Sequence, residues 1–205
     1  MSPEFLLTAL IVVCAPGTGV IYTISTGLLR GHRAALAASL GCTLGIIPHL
    51  MAATLGLAAI LHSSALLFQG VKFAGVAFLL YMAWQTLRDS SDVSFEKDET
   101  PPGSGHCTIA FRGAFINVLN PKLSIFFLAF LPQFLSGTPG TATSEMIMLG
   151  AVFMLLTLAV FVIYGVFASF ARHKVLESPR ALAWIKRVFA ASFAGLGLKL
   201  AFEKA

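Results

Sequence analysis

No carboxylate lies inside any of the long apolar runs of this chain. All nine acidic residues (Glu4, Asp89, Asp92, Glu96, Asp98, Glu99, Glu145, Glu177 and Glu203) sit at the ends of those runs or between them. This excludes a paired-carboxylate acid–base centre and a carboxylate metal site at membrane depth. It also leaves no buried acid to relay protons or hold a cation. Charge of either sign is scarce. Only 11% of the 205 residues are Asp, Glu, Lys or Arg, against about 25% in soluble domains. With a mean hydropathy of +0.86, the composition rules out a soluble domain and calls for a polytopic membrane protein. Cysteine is nearly absent: Cys14, Cys42 and Cys107 form an odd, scattered set, so neither a disulfide framework nor a metal cluster is expected. No cofactor is expected either. The net charge of +5 would suit nucleic acid if the basic residues formed a patch. They fall in loops between apolar runs, where they act as topology signals, and no nucleic-acid partner is expected.

What the chain has is apolar length. Runs at roughly 5–29, 34–61, 65–87, 112–135, 146–171 and 184–202 are each near the ~20 residues that a helix needs to cross a bilayer. Unpaired backbone is untenable in lipid, so an all-α bundle of six transmembrane helices is expected. The segment 88–111 reads as a polar cytoplasmic linker rich in acidic residues, Pro, Gly and Ser. It separates halves at 1–87 and 112–205 of a single transmembrane domain, 1–205. Ten of the fourteen Lys and Arg residues fall in the first, third and fifth loops. The positive-inside rule then puts those loops in the cytoplasm and both termini outside. No Lys or Arg precedes the first run, and Arg30 and Arg33 follow it, as in an uncleaved first span rather than a signal peptide.

Two spans carry interruptions. The first breaks at Ala15-Pro16-Gly17-Thr18-Gly19 and continues through Tyr22; the fourth breaks at Asn120-Pro121-Lys122, with Asn117 nearby. Proline removes a backbone donor and clashes with the carbonyl four residues back. A lysine near mid-bilayer costs roughly 2.5–3.5 kcal/mol on the mildest insertion scale. An offset of 105 lays Pro16 on Pro121, and with three spans in each half this predicts a 3+3 inverted repeat with broken first and fourth helices. Segments broken at corresponding places in two halves point to a transporter binding site. The candidate translocation residues are therefore Pro16, Gly17, Thr18, Gly19, Tyr22, Asn117, Asn120, Pro121 and Lys122, with His49 added as an ionisable residue near the middle of the second span. For Lys122 two roles stay open: facing a solute carboxylate, or bonding carbonyls freed at the break in the first span. Gly41 and Gly45 have the GxxxG spacing that lets helices approach closely.

These residues also carry a likeness. Pro16-Gly17, Arg30-Gly31, Gly41, Gly45, His49, the run Lys72 to Tyr81, Asn120-Pro121-Lys122 and Gly195 to Leu200 resemble the LysE/RhtB family of bacterial amino-acid exporters over essentially the whole chain. The resemblance implies a multi-pass protein of the bacterial inner membrane that exports amino acids or small derivatives, driven by the proton gradient and with no enzymatic activity. Its partners would be an amino-acid-like solute and the lipid bilayer, and a homodimer is compatible with it. The family often continues Pro-Gly with Pro-Asn; here Thr18-Gly19 stand in that place, so no particular amino acid carries over. Two rival readings are a non-transporting scaffold or sensor and a membrane-embedded enzyme.

Overall fold

The computed structural model describes residues 2–15, 17–61, 70, 73, 77, 80, 81, 84, 105–138 and 140–170. The expected sixth span, most of the third, the linker up to residue 104, Lys72, Lys199 and Pro16 lie outside the described residues. Among the described residues every regular element is helical.

Helix α1 (Pro3–Cys14) starts on Ser2, whose Oγ accepts from the Phe5 amide at 3.2 Å. Pro3 follows in the first turn, where its missing N–H costs nothing. Helix α2 (Thr18–Arg30) resumes after the break, bent by 55° from α1. It ends on Gly31 at φ 85°, a left-handed conformation that a side chain would strain. That one residue also begins α3 (His32–Leu44), so the chain reverses in minimal space. A turn at Gly45-Ile46, ahead of Pro48, separates α3 from α4 (Ile47–Leu61). Together they still hold one helix, His32–Gly56, apolar enough to cross a membrane.

Helix α5 (His106–Val118) begins earlier than the expected residue 112. The reading of 88–111 as linker therefore fails for its last residues. Ile109 is buried against Ala34, Ala37 and Ala38, and this packing recruits a segment whose polar flank suggested a loop. Helix α6 (Pro121–Ile125) follows Asn120 and continues through a wide π turn (Phe126–Phe130) and a 3-10 turn (Leu131–Phe134). The whole segment is bent by 52° from α5. Helix α7 (Ala142–Phe170) is long and apolar enough to span alone. Its start is tied to the preceding loop by Glu145, which accepts from the Ser136 amide at 2.7 Å and from the Ser136 hydroxyl at 2.6 Å. Two unbroken spans and two bent pairs make up to four membrane crossings among the described residues.

Small residues set the packing. A methyl on Gly41 would lie 1.9 Å from the Ala110 carbonyl oxygen, and one on Gly45 2.4 Å from that of Ala114. Helices α3 and α5 thus meet backbone on backbone, the role expected of the GxxxG spacing. Gly27 on α2 meets Gly165 of α7 in the same way, with 2.3 Å to its oxygen. Aromatic rings fill the other end. Phe153 of α7 stacks on Phe126 at 4.6 Å and meets Phe127 edge-on at 5.2 Å, while Phe5 meets Phe134 at 5.4 Å.

Candidate functional site

The break after α1 exposes carbonyls that a continuous helix would satisfy. The oxygen of Val12 would receive the amide hydrogen of residue 16, which proline lacks. Lys122 fills that need from the other broken span: its Nζ donates to Val12 O and Ala15 O, both at 3.0 Å. A third donor, the Tyr164 hydroxyl on α7, reaches Cys14 O at 3.2 Å. Lys122 is buried, and a cation here also complements the negative end of the α1 dipole. An ammonium group has three N–H bonds, so one is left without an acceptor among the described residues. On the opposite side of the gap, α2 starts at Gly17 with no side chain capping its first amides. A methyl on Gly17 would stand 3.0 Å from Lys122 Nζ. The lysine therefore bonds a carbonyl-rich helix end and lies beside an uncapped amide-rich one, which it cannot satisfy because it has donors alone.

The second break is closed differently. Asn120 caps α6, its Oδ1 accepting from the Lys122 amide at 3.1 Å, and its Nδ2 donates to Asn117 Oδ1 at 3.3 Å. Asn117 in turn donates through Nδ2 to Cys42 O at 2.7 Å. Pro121 deprives Asn117 O of its usual helical donor; the Asn120 amide at 3.1 Å and His49 Nε2 at 2.9 Å replace it. A carbonyl only accepts, so Nε2 carries the hydrogen. In the neutral ring Nδ1 then accepts from the Ser124 hydroxyl, 3.0 Å away. His49 thus clasps both sides of the break, one nitrogen on α5 and the other on α6.

Between the two breaks lies a cavity of about 10 Å³, lined by Val12, Val13, Gly17, Gly19, Val20, Asn117, Asn120, Lys122, Leu123, Phe153, Thr157 and Phe161. That volume is about what one water molecule needs. Of the expected residues, Gly17, Gly19, Asn117, Asn120 and Lys122 come together here, with Pro121 adjoining. Thr18 is exposed, and the Tyr22 hydroxyl donates to Ile109 O at 2.9 Å, so neither lines the cavity. His49 stands behind it. The contribution of α7 (Phe153, Thr157, Phe161 and the capping Tyr164) is absent from the sequence-based expectation. A tyrosine inside a span, whose hydroxyl needs a partner, was the available signal. Among the described residues no group of His, Cys, Asp and Glu could hold a metal ion.

Two bent helix pairs, each apolar enough to be one broken span, both contribute residues to a small cavity of mixed polar and apolar lining. The comparisons agree. Residues 10–204 match the LysE type translocator family, and the chain belongs to that family. It is 30% identical over 202 residues to an uncharacterized membrane protein of Vibrio cholerae, covering 98% of this chain and 96% of that one. It is 28% identical to a homoserine/homoserine lactone efflux protein of Salmonella typhimurium, over 89% of this chain and 82% of the relative. A leucine efflux protein of Enterobacter is 26% identical over 70% of this chain and 68% of its own length. No solved structure matches the chain.

Proposed function

We propose that this translocator is a secondary exporter that moves a small amino acid or amino-acid derivative out of the cytoplasm by alternating access, driven by the proton gradient. The observation that carries the reading is the gap at the first break, where Lys122 bonds freed carbonyls next to an uncapped helix start and a cavity. A zwitterion can replace each of those contacts. Its ammonium group takes the carbonyls of Val12 and Ala15, and its carboxylate takes Lys122 and the first amides of α2. At about 10 Å³ the cavity is too small for an amino acid, so on this reading transport requires the two bent spans to part. The homoserine and leucine named for the efflux relatives support a solute of this class.

The same reading makes the whole chain, 1–205, one transmembrane domain in the bacterial inner membrane. It consists of two inverted halves, the second beginning with α5 at His106 rather than at residue 112, with both termini outside. Supporting it, the two bends are alike at 55° and 52°.

Purified protein in vesicles loaded with leucine or homoserine tests this. Either solute should leave faster than from protein-free vesicles, and faster still when the outside is made acidic. Loss at the protein-free rate for both would sink export, and indifference to the gradient would sink proton coupling alone.

A further inference from the structure

Helix α7 contributes three residues to the cavity, Phe153, Thr157 and Phe161, spaced four apart and therefore in one stripe along the helix. We infer that this stripe is the selectivity wall for the solute side chain, and that Thr157 is its discriminating residue. The inference rests on the export reading.

The cavity is divided in its chemistry. Asn117, Asn120 and Lys122 supply polar and cationic groups from the second broken span. Val13, Val20, Leu123, Phe153 and Phe161 are apolar. A zwitterion held at Lys122 and the first break turns its side chain toward α7. Phe153 is held in place by its stacking on Phe126 and its edge contact with Phe127, so it forms a fixed surface. Phe161 closes over Gly19, where an added methyl would meet its ring at 3.1 Å. Between them Thr157 is the one polar residue that α7 presents to the cavity, and it is buried. Its hydroxyl hydrogen is committed to the Phe153 carbonyl at 2.9 Å. What remains for a solute is an oxygen that accepts.

This wall fits a side chain that is uncharged, either alkyl or carrying one hydroxyl donor. Among the lining residues the only charged group is Lys122. A basic side chain would find no anion, and an acidic one would compete with the solute's own carboxylate. Burying an unpaired charge costs far more than burying a hydroxyl with a partner.

L-Threonine and L-valine are isosteric and differ by a hydroxyl for a methyl, so their export ratio reads Thr157 directly. Vesicles containing the protein and loaded with labelled threonine, valine, lysine or glutamate are expected to release the first two at least about ten-fold faster than the charged pair. Thr157→Val should lower the threonine-to-valine ratio about three- to ten-fold, the range of one neutral hydrogen bond. Thr157→Ser, which keeps the acceptor, should leave it unchanged. The ratio is internal to each preparation and independent of how much protein inserts; Thr157→Ala reads the same loss if the valine variant fails to assemble. A ratio unchanged in Thr157→Val or Thr157→Ala overturns the wall, as does equal release of lysine and valine. Those results leave export standing. Release of all four solutes at the protein-free rate overturns export and the wall together.

Discussion

The two breaks solve one problem in opposite ways. At the second, the orphaned Asn117 carbonyl is met by the Asn120 amide and by the His49 imidazole, and Asn120 caps the helix that follows. Asn120 closes it locally, with His49 on α4 as its one borrowed donor. At the first, the freed carbonyls depend on donors from 107, 110 and 150 residues away, Lys122 and Tyr164, and the following helix starts uncapped. A break closed mainly by its own cap is scaffold. A break held by borrowed side chains can be released, because a solute can offer the same groups. On the proposed export reading, the difference points to a working surface at Gly17 and Lys122 rather than at Pro121.

Substitutions at four positions separate the breaks. Lys122→Met should have the largest effect. It strands two buried carbonyls at about 1–3 kcal/mol each and removes the carboxylate partner, lowering export about 100-fold or more. Normal efflux with normal membrane abundance would take Lys122 out of the mechanism. Gly19→Ala comes next. Its methyl would stand 2.5 Å from Asn117 Oδ1 and 3.1 Å from Phe161, an overpacking worth about 1–3 kcal/mol. A lower melting temperature in detergent and roughly ten-fold slower export are the expected readings; unchanged melting would show that Asn117 yields freely. His49→Leu removes the clasp at the second break for about 1–2 kcal/mol, and His49→Gln should recover part of it. Hydrogen exchange at residues 117–124 measures this, and equal protection in both variants would deny the clasp. Tyr164→Phe loses one donor at a half-buried carbonyl, about 0.5–1.5 kcal/mol, visible as a small fall in melting temperature.

The breaks were legible because proline acts locally: Pro121 bears on residue 117 whatever the rest of the chain does. The buried position of Lys122 was legible too, since a lysine in an apolar run must find a partner. Carbonyls freed at the first break were legible as one of its two open roles, and the structure shows Lys122 bonding them; which carbonyls was not legible. Backbone carbonyls look the same in every residue, and only the fold brings Val12 and Ala15 to Nζ. The α7 stripe was hidden for another reason. In a helix apolar all round, periodicity does not tell the cavity face from the lipid face, so Thr157 resembled any hydroxyl bonded to its own helix. The early start of α5 was masked by His106 and Arg112, which look like loop residues until Ile109 is seen packed against α3.

The Gly41 and Gly45 contacts with Ala110 and Ala114 have a mechanical consequence. Peptide planes pressed together there leave no layer of side chains to slip past one another, and a shift by a single residue would drive methyls into oxygens. In the inverted-halves reading α3 and α5 belong to opposite halves, so this seam welds them at one line. Opening must then take place as a tilt about the weld, with the far side of the bundle travelling most.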